Sequence, residues 1–331
     1  MKIKLKNKTI RDIEDFRIGN SIVLNGKQFI ELPTNLNING NLILKNTYIR
    51  KIPPKSIISG DLIMNGSKIS KIPGTCKIGG NLLAHKTRIL YFPGTLKSNG
   101  SIDLSSSLIE KLPNNYRVRG DLDLSNSRIA QLPKKLVVLG DLDISNTRIV
   151  EFPKDMKVNG SIFMHDTAFT SLRDGFHCKG SLHCDNIRLY KFPKKMIING
   201  NLYAKGIPCV TIPDDMIVNG DIDLSESKIS NLPEAWRTNG AVNLSKSLIK
   251  KLPERMIING DFDISRTALK ILPLRIHITG NCNMIHTELT KIGKHFNVNG
   301  CVDFRFTKIK KIPRHIIFDH IEELEDKTEE Y

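Results

Sequence analysis

Two histidines and an aspartate, His165, His183 and Asp185, come nearest in this chain to a metal donor set. Imidazole and carboxylate together suit zinc and its neighbours, but the spacing matches no zinc signature, and no metal is expected there. Asp121, Asp123, Asp141 and Asp143 offer carboxylate oxygens of the kind calcium takes. No GGxGxD pattern accompanies them, so solvated acids that limit strand-edge association are the favoured reading. Nucleophilic catalysis needs a unique Ser or Cys beside a base. Ser and Asp abound here, but as recurring positions, and neither GxxxxGKS/T nor GxSxG occurs. The chain is therefore not expected to be an enzyme, and no catalytic residue or cofactor is expected.

Cys76, Cys178, Cys184, Cys209, Cys282 and Cys301 form no CxxC pair, and five of the six occupy repeat positions that are otherwise apolar. They read as reduced core cysteines of a reducing, cytoplasmic compartment. Two further groups suit contact rather than catalysis. Phe163, His165, His183, Asp185, Tyr203 and Lys205 mix aromatic and polar side chains, which is hot-spot chemistry. Val23, Ile43, Ile63 and Leu83 form an aliphatic series at a spacing of twenty.

That spacing defines the elements. Glycine recurs every twenty residues from Gly40 to Gly300, at all fourteen places, with no insertion or deletion. Numbering each unit from the residue after the glycine, positions 2 and 4 are always apolar, and 9, 12, 16 and 18 mostly so. Proline holds position 13 in thirteen of fifteen units, and Ser or Thr holds position 7 in twelve. Apolar 2 and 4 alternating with polar 1, 3 and 5 predict a short half-buried strand. The glycine predicts a tight corner with no room for a Cβ. Units this small cannot bury their own apolar face, so they must stack into one continuous core. The fold class is a repeat β-solenoid of about sixteen coils, with one long parallel sheet and little or no helix.

Residues 1–20 read as a degenerate capping coil, with Ile3, Leu5, Ile10, Ile13, Phe16 and Ile18 at the inward positions. Residues 21–320 form fifteen repeats, and 321–331 an acidic tail. Net charge is +16; the tail carries −5, which leaves +21 for the remainder. No apolar run is long enough to span a membrane, and MKIKLKNKTI lacks the apolar stretch of a Sec signal peptide.

The layout of strand, then Asn or Thr, then Leu-Pro, carried by LDLSNSRIAQLP (Leu122–Pro133) and its copies, resembles bacterial leucine-rich repeat proteins. It is most similar to the short repeats of secreted effectors of the YopM and IpaH kind. The resemblance covers nearly the whole chain and implies a curved solenoid that binds host proteins, delivered without a Sec signal. The glycine corner with an apolar position 18 departs from the family's lead-in. It keeps a right-handed parallel β-helix open as the alternative cross-section. No counterpart of the IpaH-type ligase domain is expected. A pentapeptide-repeat helix fails, because the apolar positions do not recur every five residues.

Function is therefore expected at a surface. Positions 1, 3 and 5 form the outward sheet face, where partners of such proteins bind. The expected sites are Val23, Ile43, Ile63 and Leu83, with Phe163, His165, His183, Asp185, Tyr203 and Lys205. The partner is a protein, and self-association is a second use of the aliphatic row. The alternative is nucleic acid or an anionic surface, bound through Arg128, Arg148, Lys134, Lys135, Lys194 and Lys195. The heavy use of Lys, Ile and Asn also fits an AT-rich gene, including a viral or phage one.

Overall fold

The structure, a computed structural model, describes residues 2–6, 10–293, 295–310 and 320–322. It divides into two compact units, Met1–Ala168 and Phe169–Tyr331. Each is a parallel β-solenoid built from the twenty-residue coil. The Ile13–Phe16 3-10 turn is the helical element among the described residues.

Each coil carries two short strands on either side of its glycine. Positions 2 and 3 build a front sheet. In the first unit this runs from Ser21–Val23 through Leu42–Ile43 and Leu122–Asp123 to Ile162–Phe163, parallel and in a register of twenty. In the second it runs from Leu182–His183 to Cys301–Asp303 and His320–Glu322. Positions 17 and 18 add a side sheet that the repeat pattern did not announce, for example Arg117–Val118, Val137–Val138 and Lys157–Val158. The inward positions behave as their spacing predicts: Leu122, Leu124, Ile129, Leu132, Leu136 and Val138 of one coil are all buried. Cys76, Cys178, Cys184, Cys209 and Cys282 are buried among them, and Cys301 is half-buried. Burial pushes the Cys184 and Cys282 thiols up, which leaves them unreactive.

Adjacent coils touch most closely at the corner. The N–H of Gly140 donates to the carbonyl of Gly120 at 3.0 Å, and that of Gly160 to Gly140 at 3.0 Å. A Cβ on Gly140 would lie 2.0 Å from Asp121 Oδ1 and 2.9 Å from the Gly120 carbonyl carbon. The glycine thus makes room for the preceding coil rather than for a positive φ. The residue after it completes the corner. Its side-chain oxygen accepts the N–H of its counterpart one coil on: Asn41 from Asp61 (2.7 Å), Asp61 from Asn81 (2.7 Å), Asp121 from Asp141 (2.8 Å) and Asp221 from Ala241 (2.8 Å). Position 1 is therefore Asn, Asp or Ser from Ser21 to Asp221. Ala241 offers no acceptor to Asp261.

Two more positions close the coil's turn. Position 6 is left-handed in every coil from Gly26 to Phe306, twelve of the fifteen times without glycine. In most coils that carry a hydroxyl at position 7 it donates to the position-4 carbonyl, as Thr147 does to Ile144 (2.6 Å) and Thr267 to Ile264 (2.8 Å), whereas the buried hydroxyls of Ser67, Ser247 and Thr307 find no partner.

The N-terminal segment differs from a repeat. Lys2–Leu5 pairs antiparallel with both Ile10–Asp12 and Phe29–Glu31, and Arg17–Ile18 pairs antiparallel with Ser21–Val23. Ile3 and Ile13 are buried as expected, but Ile10 and Ile18 are 62% and 68% exposed. The chain reverses twice within eighteen residues, so the repeat's phase cannot hold there. Only Ile321 and Glu322 of the expected acidic tail fall among the described residues.

Two stability changes follow. Ala241→Asn restores the missing acceptor and should stabilise the second unit by about 1 kcal/mol, read as a higher melting temperature. Gly140→Ala forces backbone against backbone and should cost about 1–3 kcal/mol. An unchanged melting temperature in either variant would remove the corner from its structural role.

Candidate interaction face

The front sheet turns position 3 outward between the buried positions 2 and 4. Every position-3 side chain from Val23 to Asp303 is half-buried, held between its neighbours above and below. In the first unit Val23, Ile43, Ile63 and Leu83 form one aliphatic row, as expected. Asp103, Asp123 and Asp143 continue it, and Phe163 follows Asp143 in register. Asp121, Asp123, Asp141, Asp143 and Phe163 line an open trough of about 280 Å³. His165 lies one strand residue beyond it, its Nδ1 3.0 Å from Ser145 Oγ.

These carboxylates are partly committed. Asp103, Asp123 and Asp143 each accept the N–H of the serine two residues on, at 2.8 Å. Asp121 and Asp141 accept the position-1 N–H of the following coil. Among the described residues no group of three or more His, Cys, Asp or Glu is arranged to hold a metal ion. Burial raises the Asp123 carboxyl; the Ser125 hydrogen bonds lower it, and the charges of Asp143 and Asp103 raise it further.

In the second unit His183 and Tyr203 stack, with ring centroids 4.5 Å apart and planes at 21°. The Tyr203 hydroxyl accepts Asn201 Nδ2 at 2.9 Å. Asp185 Oδ1 accepts the Lys205 N–H at 2.7 Å, and Lys205 Nζ lies 3.5 Å from Glu226. The stretch GIPCV (206–210) puts Ile207 where most coils have Ser or Thr: Gly206 takes the left-handed position 6, and Ile207 and Cys209 are buried. Phe163 and His165 belong to the first unit and the other four expected contact residues to the second. Beyond Tyr203 the row alternates Asp223, Asn243, Asp263, Asn283 and Asp303, and Asn283 Nδ2 donates to Asp263 Oδ2 at 3.0 Å.

The proteins of known structure to which the chain is similar include the following two. One is a leucine-rich repeat protein of Leptospira interrogans: 12% identical, TM-score 0.43, covering 82% of this chain and 90% of that one. The other is YopM from Yersinia enterocolitica: 12% identical, TM-score 0.30, covering 91% of each chain. No family model and no curated protein matches. Among the described residues no helix is long and apolar enough to cross a membrane.

The expected basic edge residues are all exposed, but they occupy two different turns. Arg128 and Arg148 stand at position 8, before the inward position 9. Lys134, Lys135, Lys194 and Lys195 follow the proline, and Lys135 and Lys195 are left-handed there. Lys134 shares a trough of about 420 Å³ with Glu151 and Asp155, so acids and bases are interleaved along that edge.

Asp123 carries the site's clearest pH signature. Its folded-state pKa lies above the ordinary 3.8, so its ionisation costs stability once pH rises through that folded value. Asp123→Asn keeps the acceptor for Ser125 and removes the charge. It should therefore be more stable than the parent at pH 7, by a few tenths to about 1 kcal/mol. The advantage should disappear below pH 3.8, where the carboxyl is neutral in both states. Melting temperatures of the two proteins across pH 3–8 check this, and a constant difference would contradict it.

Proposed function

We propose that the protein is an interaction scaffold that binds a protein partner through the front sheet of its first unit. One observation carries this reading: the charge of the Asp103–Asp123–Asp143 row serves no need of the fold. Asn243 and Asn283 make the same hydrogen bond to the amide two residues on, at 3.0 and 3.1 Å, without a charge. The turn needs an acceptor; it does not need an anion. Three like charges in adjacent coils destabilise the sheet unless something offsets them. In the second unit alternation with asparagine does so, whereas the first unit holds no such relief.

A partner bearing lysine or arginine would supply the missing counter-charge. The aliphatic row on one side of the acids and Phe163 on the other give it apolar anchors, the usual centre of a hot spot. The rigid sheet presents these groups without an ordering cost. The expectation of self-association through Val23–Leu83 becomes a competing outcome, because a second copy would bring aliphatic rather than basic groups to the row.

Capture experiments separate the cases. The wild-type chain on a resin should retain a partner that is lost from Ile43→Asp/Ile63→Asp and from Asp123→Lys/Asp143→Lys, and kept by Lys134→Glu/Lys135→Glu. Equal capture by all four proteins would refute the front face. A change of molecular mass by light scattering in Ile43→Asp/Ile63→Asp alone would assign the row to self-association.

A further inference from the structure

In the second unit the side sheet changes character. His177–Cys178, Ile197–Ile198 and Ile217–Val218 pair as two-residue strands. Ala235–Thr238, Arg255–Ile258, Arg275–Ile278 and His295–Val298 are four residues each, parallel and in register. Arg255 and Arg275 are extended there, whereas Asn35, Lys55, Asn115, Lys135 and Lys195 are left-handed at the same repeat position. Strand alternation buries Trp236, Met256, Ile276 and Phe296 and turns positions 15 and 17 outward.

The outward groups are basic. Arg255, Arg275 and His295 form one row along the stack, at the interstrand step of about 4.8 Å. Arg237 and His277 stand in the neighbouring row, on either side of Ile257. Together they line an open trough of about 550 Å³ that no acidic residue enters. Among the described residues none of these arginines or histidines has an ion-pair partner within 4 Å. Glu254, the sequence neighbour of Arg255, is exposed and accepts the Leu274 N–H at 3.4 Å.

Arg255 directly opposite Arg275 is a repulsive pair, and the sheet gains nothing from it. Arginine is always charged, and its planar fork matches phosphate oxygens in pairs. The trough walls are a few side chains wide, which suits one extended polyanion rather than a flat bilayer. No Phe, Tyr or Trp lies among the lining residues; the rings a base could meet there are the imidazoles of His277 and His295, so contacts to phosphate dominate. We propose that this trough binds the phosphodiester backbone of single-stranded nucleic acid, without sequence preference. The site is independent of the front-sheet reading, since it lies on the other ladder and uses none of the same residues.

Fluorescence anisotropy of a labelled, mixed-sequence 12-nucleotide single strand, titrated with the full chain over a salt series, tests it. Binding should weaken as salt rises, with a log–log slope of about −2 if three phosphates are neutralised. Arg237→Gln/Arg255→Gln/Arg275→Gln should weaken binding about tenfold or more at low salt and flatten the slope. Lys134→Glu/Lys135→Glu should stay within about twofold of wild type. Circular dichroism checks the fold. Should the triple variant not fold, Arg255→Gln and Arg275→Gln singly should each reduce the slope by about 0.7. Absence of binding at low salt, or equal binding by the glutamine variants, would overturn the proposal. So would trough-dependent binding to phosphatidylserine vesicles with none to the oligonucleotide.

Discussion

The closeness of adjacent coils at the glycine corner governs the rest of the molecule. Backbone meets backbone there, glycine N–H to glycine carbonyl, at about 3 Å at most corners of each unit. No side chain fits between. The next residue must then bring an oxygen to the amide one coil on, which restricts it to short acceptors such as Asn, Asp and Ser. With both positions occupied in this way, every coil must have the same length, or the ladders lose register together. The apolar positions follow from that constraint: once the coils are in register, 2, 4, 9, 12, 16 and 18 fall on one axis and fill it.

Because the corner, the left-handed position 6 and the position-7 hydroxyl carry the main-chain requirements, position 3 is left to vary. Aliphatic, acidic, amide and aromatic side chains all occupy it. The two units use that freedom differently. The second dilutes its carboxylates with asparagines and pairs Asn283 with Asp263. The first sets three carboxylates in succession and leaves Asp123 partly buried between two of its own sign. A surface that holds charge where an uncharged residue would serve the fold equally well is directed toward something outside it. The same logic applies to the arginines of the side sheet, where repulsion along a strand pair has no internal remedy.

Much of this architecture was legible in the sequence. The strict period identified the solenoid, and the alternation at positions 1–5 identified the front strand and its outward row. What stayed hidden had a common cause: one residue type serving two ends. Asp121 and Asp141 look like solvated acids, and only the distance to the next coil's amide shows them to be backbone acceptors. In GIPCV the usual position-7 hydroxyl gives way to Ile207, which with Cys209 extends the core. Ile10 and Ile18 match an inward spacing by chance, because an antiparallel return is invisible to a pattern that assumes a parallel coil. The last two strands of the side sheet could have been found, since RIHI and HFNV alternate with period two; AWRT and RMII do not. Read along the chain, their basic residues were dispersed among other edge positions and did not form a group.

The position-1 ladder also gives the solenoid a direction. Every coil that carries Asn, Asp or Ser at position 1 can lend an oxygen forward to the amide of the next, so the two faces of such a coil are chemically unlike. A unit excised in multiples of twenty residues would rejoin oxygen to amide and glycine to glycine, while any other length would leave both ladders out of register. The stack can therefore grow or shrink only in whole coils. Its length is a digital quantity, which separates the evolution of reach along the axis from the evolution of the side chains displayed on it.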